Sequence, residues 1–235
     1  RKTLINETVT KGLDKNVKLK DSSINWIGQI PEHWEAKRIK DLAKSFIGGG
    51  TPNTGNAKYW CNKSDGGFPW VSISDITKSE YIYSTKKYVT KLGVKNSSTS
   101  LINTNTILYS IYASLGKVAL TKVECATNQA ILAIIENQKI INKSYFIYVL
   151  KSLEDYVFTI GNTNTQNNIS LSILRKIEVV KPPMIEQQQI ANFLDSKTGT
   201  IDKMINNITT QISTLQELRK TLINEVITGK VKVTD

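Results

Sequence analysis

The chain has 235 residues, 40 % of them hydrophobic and 22 % charged, enough for one large or two small domains with a buried core. No run approaches the roughly 18 consecutive apolar residues of a membrane helix, and the N-terminus carries no apolar signal segment, so a soluble, cytoplasmic protein is expected. The two cysteines, Cys61 and Cys125, stand in no metal spacing and make no disulfide framework, while Lys and Arg outnumber Asp and Glu by 31 to 20, a net +11 that suits a polyanionic partner.

In chain order, the first feature is a repeat. Arg1-Lys2-Thr3-Leu4-Ile5-Asn6-Glu7 returns as Arg219-Lys220-Thr221-Leu222-Ile223-Asn224-Glu225, and both copies run on through a Thr to a Gly, Gly12 and Gly229. The first copy reads as the end of a helix equivalent to the one that carries the second, as in one unit of a duplicated protein. Residues 1–19 are therefore expected to be a helix end and a Lys-rich connector, 20–182 a strand-rich domain, and 183–235 a region built on a long helix. Strands are predicted at Phe68 to Ile73, Thr106 to Tyr112, Lys117 to Thr121, Ala130 to Ile135 and Ile177 to Val180, which are rich in Ile, Val and Tyr between turn residues. One helix is predicted from Lys143 to Ile160, because Phe146, Val149, Leu150, Leu153, Val157 and Ile160 recur at helical spacing.

Beyond Pro182-Pro183 a short helix is predicted from Ile185 to Ser196, with a break near Gly199. Thereafter Ile201, Ile205, Ile208, Ile212, Leu215, Leu218, Leu222 and Val226 step by 4, 3, 4, 3, 3, 4 and 4, a coiled-coil seam that calls for a partner helix. At ~1.5 Å per residue this seam spans about 39 Å, close to one turn of B-DNA, ~34 Å. The fold class is α+β: a mixed, strand-rich domain followed by a long coiled-coil-forming helix.

Enzyme signatures are missing. His33 has no second His or Cys near it and reads as structural. Gly50-Thr51-Pro52-Asn53-Thr54-Gly55 imitates the start of a phosphate loop, but Asn56-Ala57 stand where Lys and Ser or Thr are needed to hold terminal phosphates. No nucleophile elbow is present. No catalytic residue, metal or cofactor is expected.

Several strings are distinctive in combination: Trp26-Ile27-Gly28-Gln29-Ile30-Pro31-Glu32-His33-Trp34-Glu35, Gly48-Gly49-Gly50-Thr51-Pro52, Pro69-Trp70-Val71-Ser72-Ile73-Ser74-Asp75-Ile76, Thr127-Asn128-Gln129-Ala130, and Glu186-Gln187-Gln188-Gln189-Ile190-Ala191 after the double proline. In this order they resemble the specificity subunit of type I restriction-modification systems, over essentially the whole chain. The resemblance implies a non-catalytic subunit with two target recognition domains separated by two long helices. Each domain would read half of a split double-stranded DNA target and direct methyltransferase and restriction subunits to it. This chain matches the second half: the end of the central helix, a recognition domain and the C-terminal helix. A lone half of this kind is either a fragment or a half-subunit that pairs with a copy of itself through the C-terminal helix.

Base edges are read by short polar side chains on loops, and three stretches offer them. The first, 48–58, supplies Thr51, Asn53, Thr54, Asn56 and Lys58, with glycines that would let the backbone approach phosphate. The second, 109–117, supplies Tyr109, Tyr112, Ser114 and Lys117, and the third, 161–168, supplies Asn162, Asn164, Gln166 and Asn167. The resemblance adds Ser72, Ser74 and Asp75. Each stretch also suits an ordinary solvated turn, and the four tryptophans read as core or interface anchors. By the resemblance, 186–195 would dock methyltransferase subunits, although packing within the chain explains that segment equally well. A competing reading from another class is a coiled-coil assembly adaptor that binds protein, its charge incidental.

Overall fold

The computed structural model describes residues 1–161 and 168–231. The elements run α1 (Lys2–Lys11), β1 (Leu19–Asp21), β2 (Gln29–Pro31), β3 (Glu35–Arg38), α2 (Ile39–Leu42), β4 (Ala43–Gly48), β5 (Trp60–Cys61), β6 (Phe68–Val71), α3 (Ile73–Lys78), β7 (Tyr81–Ile82), β8 (Tyr88–Val89) and α4 (Lys91–Lys95). They continue with β9 (Ile107–Ser110), β10 (Val118–Thr121), β11 (Ala126–Thr127), β12 (Ile131–Glu136), α5 (Lys143–Ser152), α6 (Glu154–Gly161), α7 (Leu171–Lys176), β13 (Glu178–Lys181) and α8 (Met184–Ile227). This is the α+β class expected, with a long C-terminal helix.

Two larger sheets carry the fold. The first has the order β4-β12-β9-β10-β7, antiparallel except for the β10/β7 pair. Its central strands β9, β10 and β12 are apolar runs because both of their faces are covered. Leu108, Ala119, Ile131 and Ala133 point to one side, into a cluster with Val71, Ile76, Ile82, Ile102 and Cys125. Alternation sends Ile107, Tyr109, Leu132 and Ile134, all buried, to the other side. The second sheet, β11-β6-β8-β5, packs Trp70, Val89 and Ala126 together with Trp60, Phe68 and Val94. Burial pushes the Cys125 thiol up to about 12, with the Glu124 charge adding to it.

Three local readings need correction. The helix expected from Lys143 to Ile160 is two helices, because the turn tightens at Leu153, whose N–H bonds Leu150 O and Lys151 O, and α6 starts afresh at Glu154. The break expected near Gly199 does not occur, and α8 runs unbroken for 44 residues. One interior glycine costs only about 1 kcal/mol, which a helix this long absorbs. The strand expected from Phe68 to Ile73 stops at Val71, where Ser72 and Asp75 form a capping box and start α3.

The chain divides into a compact unit, Lys2–Ala191, and a second unit formed by Arg1 and the residues from Asn192 onward. Within the first, α1 buries Ile5, Thr8, Val9 and Thr10 and packs on α5. The Tyr145 hydroxyl fastens it, donating to Val9 O at 3.2 Å and to Val180 O at 3.0 Å. Both copies of the repeat are helical, and each helix is followed by a glycine in the left-handed region: Gly12 at φ +78° and Gly229 at φ +71°. In the second unit the α8 seam lies bare: Ile205, Ile208, Ile212, Leu215, Leu218, Leu222 and Val226 are between 37 and 63 % exposed. No helix among the described residues is long and apolar enough to cross a membrane.

Candidate nucleic-acid interface

Strand pairing fixes where the candidate loops go. Gly48, the last residue of β4, pairs with Leu132 at the start of β12. Ile131 pairs with Ser110 at the end of β9, and Tyr109 pairs with Val118 at the start of β10. The loop after β4, the connector before β12 and the β9–β10 turn therefore share one end of the five-stranded sheet. The second sheet opens on the same end, because Thr127 pairs with Val71 and the Asn128 N–H donates to Val71 O at 3.0 Å. That brings in the Ser72 turn. Asn168 and Ile169 are also held here: Asn168 bridges Tyr112, and Ile169 N–H donates to Ile111 O at 3.1 Å. Asn162, Asn164, Gln166 and Asn167 lie outside the described residues.

The 48–58 loop is held from beneath by indoles. Trp70 Nε1 donates to Gly50 O at 3.0 Å and Trp60 Nε1 to Asn53 O at 3.2 Å, the two rings meeting edge to face at 5.2 Å. Thr51, Asn53, Thr54 and Lys58 stay exposed, with Asn56 partly so. Asn53 and Asn56 each spend a side-chain oxygen on a local turn, accepting from Gly55 N and Lys58 N. Two of the glycines are required by contacts within the protein, while an added Cβ at Gly48 would meet nothing within 4 Å. A Cβ at Gly49 would stand 1.9 Å from Asn128 O, and one at Gly50 would stand 2.6 Å from Thr99 N, so they permit protein backbone to pass protein backbone.

Around the β9–β10 turn the placements diverge. Tyr112 is exposed, and Ala113 beside it holds φ +60°. Ser110 is buried, and its hydroxyl accepts from Lys117 N at 2.8 Å and donates to Ser114 O, fixing the turn from inside. Ser114 is partly exposed. Lys117 is paired with Glu154 at 2.8 Å and is partly neutralised. Tyr109 is a correction: its side chain is fully buried and its hydroxyl, without a hydrogen-bond partner among the described residues, is pushed up by burial, so it does not present a contact at the surface. Its strand is covered on both faces, which a polar-tipped residue in a Tyr-Ser-Ile-Tyr run does not announce. A Tyr109→Phe chain is expected to equal or exceed the parent in urea stability by up to ~1 kcal/mol, since an unsatisfied buried hydroxyl costs about 1–3 kcal/mol. A clear loss of stability would show that the hydroxyl has a partner.

In the α3 turn, the Asp75 carboxylate accepts from the Ser72 N–H at 2.9 Å and from its hydroxyl at 2.6 Å, and Ser72 also meets Ser74 at 2.9 Å. Asp75 is thus occupied as a cap, and Ser74 is the exposed member. Asn128 and Gln129 were not singled out as contacts by sequence. They lie where the two sheets meet, and exposed Gln129 accepts from Thr51 Oγ1 at 2.5 Å. Their place in a Thr-Asn-Gln-Ala connector between two buried strands was the available signal.

The 186–188 triplet is engaged inside the compact unit. Glu186 accepts from Trp34 Nε1 at 2.9 Å and meets His33 Nε2 at 2.7 Å. Gln187, fully buried, accepts from Asn142 N at 2.7 Å and donates to Pro182 O at 2.8 Å, and Gln188 accepts from Asn142 Nδ2 at 2.8 Å. Trp34 is fully buried and Trp26 stacks on Tyr156 at 5.3 Å, so all four indoles act as anchors.

Comparison with known proteins gives this arrangement a context. The MjaIX specificity subunit of a type I restriction enzyme from Methanocaldococcus jannaschii is 31 % identical over 195 residues, covering 82 % of this chain and 43 % of that protein. The EcoR124I/EcoR124II specificity subunit of Escherichia coli is 28 % identical over 212 residues, covering 88 % and 48 %. The chain thus spans about half the length of the curated relatives it matches. Among solved structures, the HsdS subunit from Thermoanaerobacter tengcongensis superposes with a TM-score of 0.65 at 15 % identity, over 95 % of this chain and 49 % of that one. A chain from a type I R-M system studied for complex assembly and conformational transition gives a TM-score of 0.70 at 16 % identity, over 95 % and 51 %. Residues 31–214 match the family described as Type I restriction modification DNA specificity domain, and the chain belongs to that family.

Proposed function

We propose that this chain is a non-catalytic, sequence-specific reader of double-stranded DNA that recognises one half of a bipartite target in the cytoplasm. It would direct methyltransferase subunits, and through them restriction subunits, to that site. The carrying observation is the convergence of polar loops from both sheets at one sheet end, in a chain with a net +11 charge that belongs to a DNA specificity family. Residues 20–182 form the reading domain and 183–235 carry the spacer helix. Thr51, Asn53, Thr54, Asn56, Lys58, Ser72, Ser74, Tyr112, Ser114, Lys117 and the 162–167 segment are its candidate contacts, with Gln129 added and Asp75 acting as a cap that shapes the turn. The exposed seam of α8 forms a coiled coil with a second copy, a two-fold arrangement that sets two readers apart along a symmetric split target.

Binding of a duplex, followed by anisotropy across a salt series, tests the reading. Six phosphate contacts predict a log-log slope near −5, at about −0.9 per phosphate. A flat salt response would remove the DNA-binding reading. No cleavage or methylation by the chain alone is expected when Mg, ATP and S-adenosylmethionine are supplied.

A further inference from the structure

Beside the 48–58 loop lies an open recess of about 280 Å³, lined by Thr54, Trp60, Cys61, Asn62, Lys86 and Lys87. Strand pairing puts it on the same end of the fold as the loops, since Cys61 pairs with Tyr88 and Pro69 pairs with Tyr88 from the other side. The Lys87 ammonium lies 5.8 Å from the Trp60 ring centroid and 5.9 Å from that of Trp70. Aromatic faces hold a cation in place without cancelling its charge. Lys117, at the same sheet end, is by contrast held by the Glu154 carboxylate. The Lys87 backbone is fixed as well, its carbonyl accepting from Trp70 N at 2.9 Å and from Thr85 Oγ1 at 2.6 Å. Lys86 next to it is exposed. The nearby carboxylate of Asp65 is occupied by Asn62 N at 2.8 Å and Ser64 Oγ at 3.0 Å.

We infer that this recess is a phosphate anchor for the DNA backbone, with Lys87 as the positioned charge and Lys86 as its exposed partner. The inference rests on the reading that this sheet end faces DNA. An ammonium is a point charge with three donors and no acceptor, and a positioned ammonium loses little freedom on meeting a phosphate. Trp60 links the anchor to the reading loop, because the same indole that supports Lys87 donates to Asn53 O. A backbone contact here would set the register of the loop on the duplex without reading sequence itself.

The test uses the full chain and a mixed-sequence duplex, with anisotropy measured across a potassium chloride series. The variant Lys86→Ala/Lys87→Ala is expected to flatten the slope by about 0.9 for one lost phosphate or ~1.8 for two, and to weaken all sequences alike. Lys87→Arg should keep the parental slope, and so should a control, Lys203→Ala/Lys220→Ala, on exposed positions of α8. Lys86→Glu leaves the indole packing untouched and should flatten the slope even where Lys87→Ala disturbs the near-ultraviolet circular dichroism of the tryptophans. A steep parental slope that survives in the double variant and in Lys86→Glu overturns the anchor and leaves the DNA reading standing. A flat parental slope overturns both.

Discussion

A chain carrying Ile208→Asp and Leu215→Asp is expected to weigh 26.3 kDa by light scattering at concentrations where the parent weighs twice that. Both positions are more than half exposed on α8, so the single chain loses no packing of its own from the change. A dimer loses it four times over, because two-fold pairing repeats each substitution on both helices. At ~1.5–3 kcal/mol for each buried aliphatic side chain, the loss exceeds about 6 kcal/mol, more than roughly four orders of magnitude in dissociation constant. Circular dichroism and thermal unfolding of the Lys2–Ala191 unit should change little. A parent that stays monomeric at every concentration ends the self-pairing reading, and with it the symmetric target.

The repeat gives that prediction its logic. In the first copy Ile5 is buried and Leu4 half-buried, since α1 lies on α5. In the second copy the equivalent Ile223 and Leu222 are 46 and 53 % exposed. One string of seven residues therefore appears once with its apolar face covered and once without. Burial of such a face supplies most of a helix's stability, since propensity alone leaves it marginal. The bare copy is the one expected to acquire a partner.

How far the chain could be read before its structure was known depended on where periodicity existed. The buried strands β9, β10 and β12 were legible because continuous Ile, Leu and Val runs have few other homes. The two-residue strands β5, β7, β8 and β11 carry no period at all, and β4 hid behind Lys44 and Ser45 on a sheet edge. The 48–58 stretch and the β9–β10 turn were legible as loops, but their meeting at one sheet end is a property of strand order, which local pattern does not encode. Tyr109 was misread for the same reason: its neighbour Leu108 and its own ring face opposite layers, and both layers are buried. The tryptophans read as anchors, but what three of them hold emerged only from their N–H bonds, Trp34 to Glu186 on α8 and Trp60 and Trp70 to the 48–58 loop.

The sharpest contrast within the interface lies between neighbouring glycines. Gly48→Ala is expected to be neutral or to stabilise the chain, since nothing lies within 4 Å of its added Cβ and Gly→Ala at a compatible strand position gains about 0.4–1 kcal/mol from the unfolded state. Gly49→Ala adds the same carbon 1.9 Å from Asn128 O and 2.4 Å from Thr127 Oγ1. Its first obstacle is backbone, so no rotamer change relieves it. Overpacking of this kind costs ~1–3 kcal/mol or more, and relief requires the 48–52 loop and the Asn128–Gln129 connector to part. Those are the two segments joined by the Thr51–Gln129 hydrogen bond at the sheet end. The variant should therefore lose stability in urea and lose duplex affinity together, while its mass in solution stays that of the parent. Equal stability and equal affinity for the two variants would show that the connector yields freely, and that the Gly-Gly-Gly-Thr-Pro run does not shape the reading surface through close backbone contact.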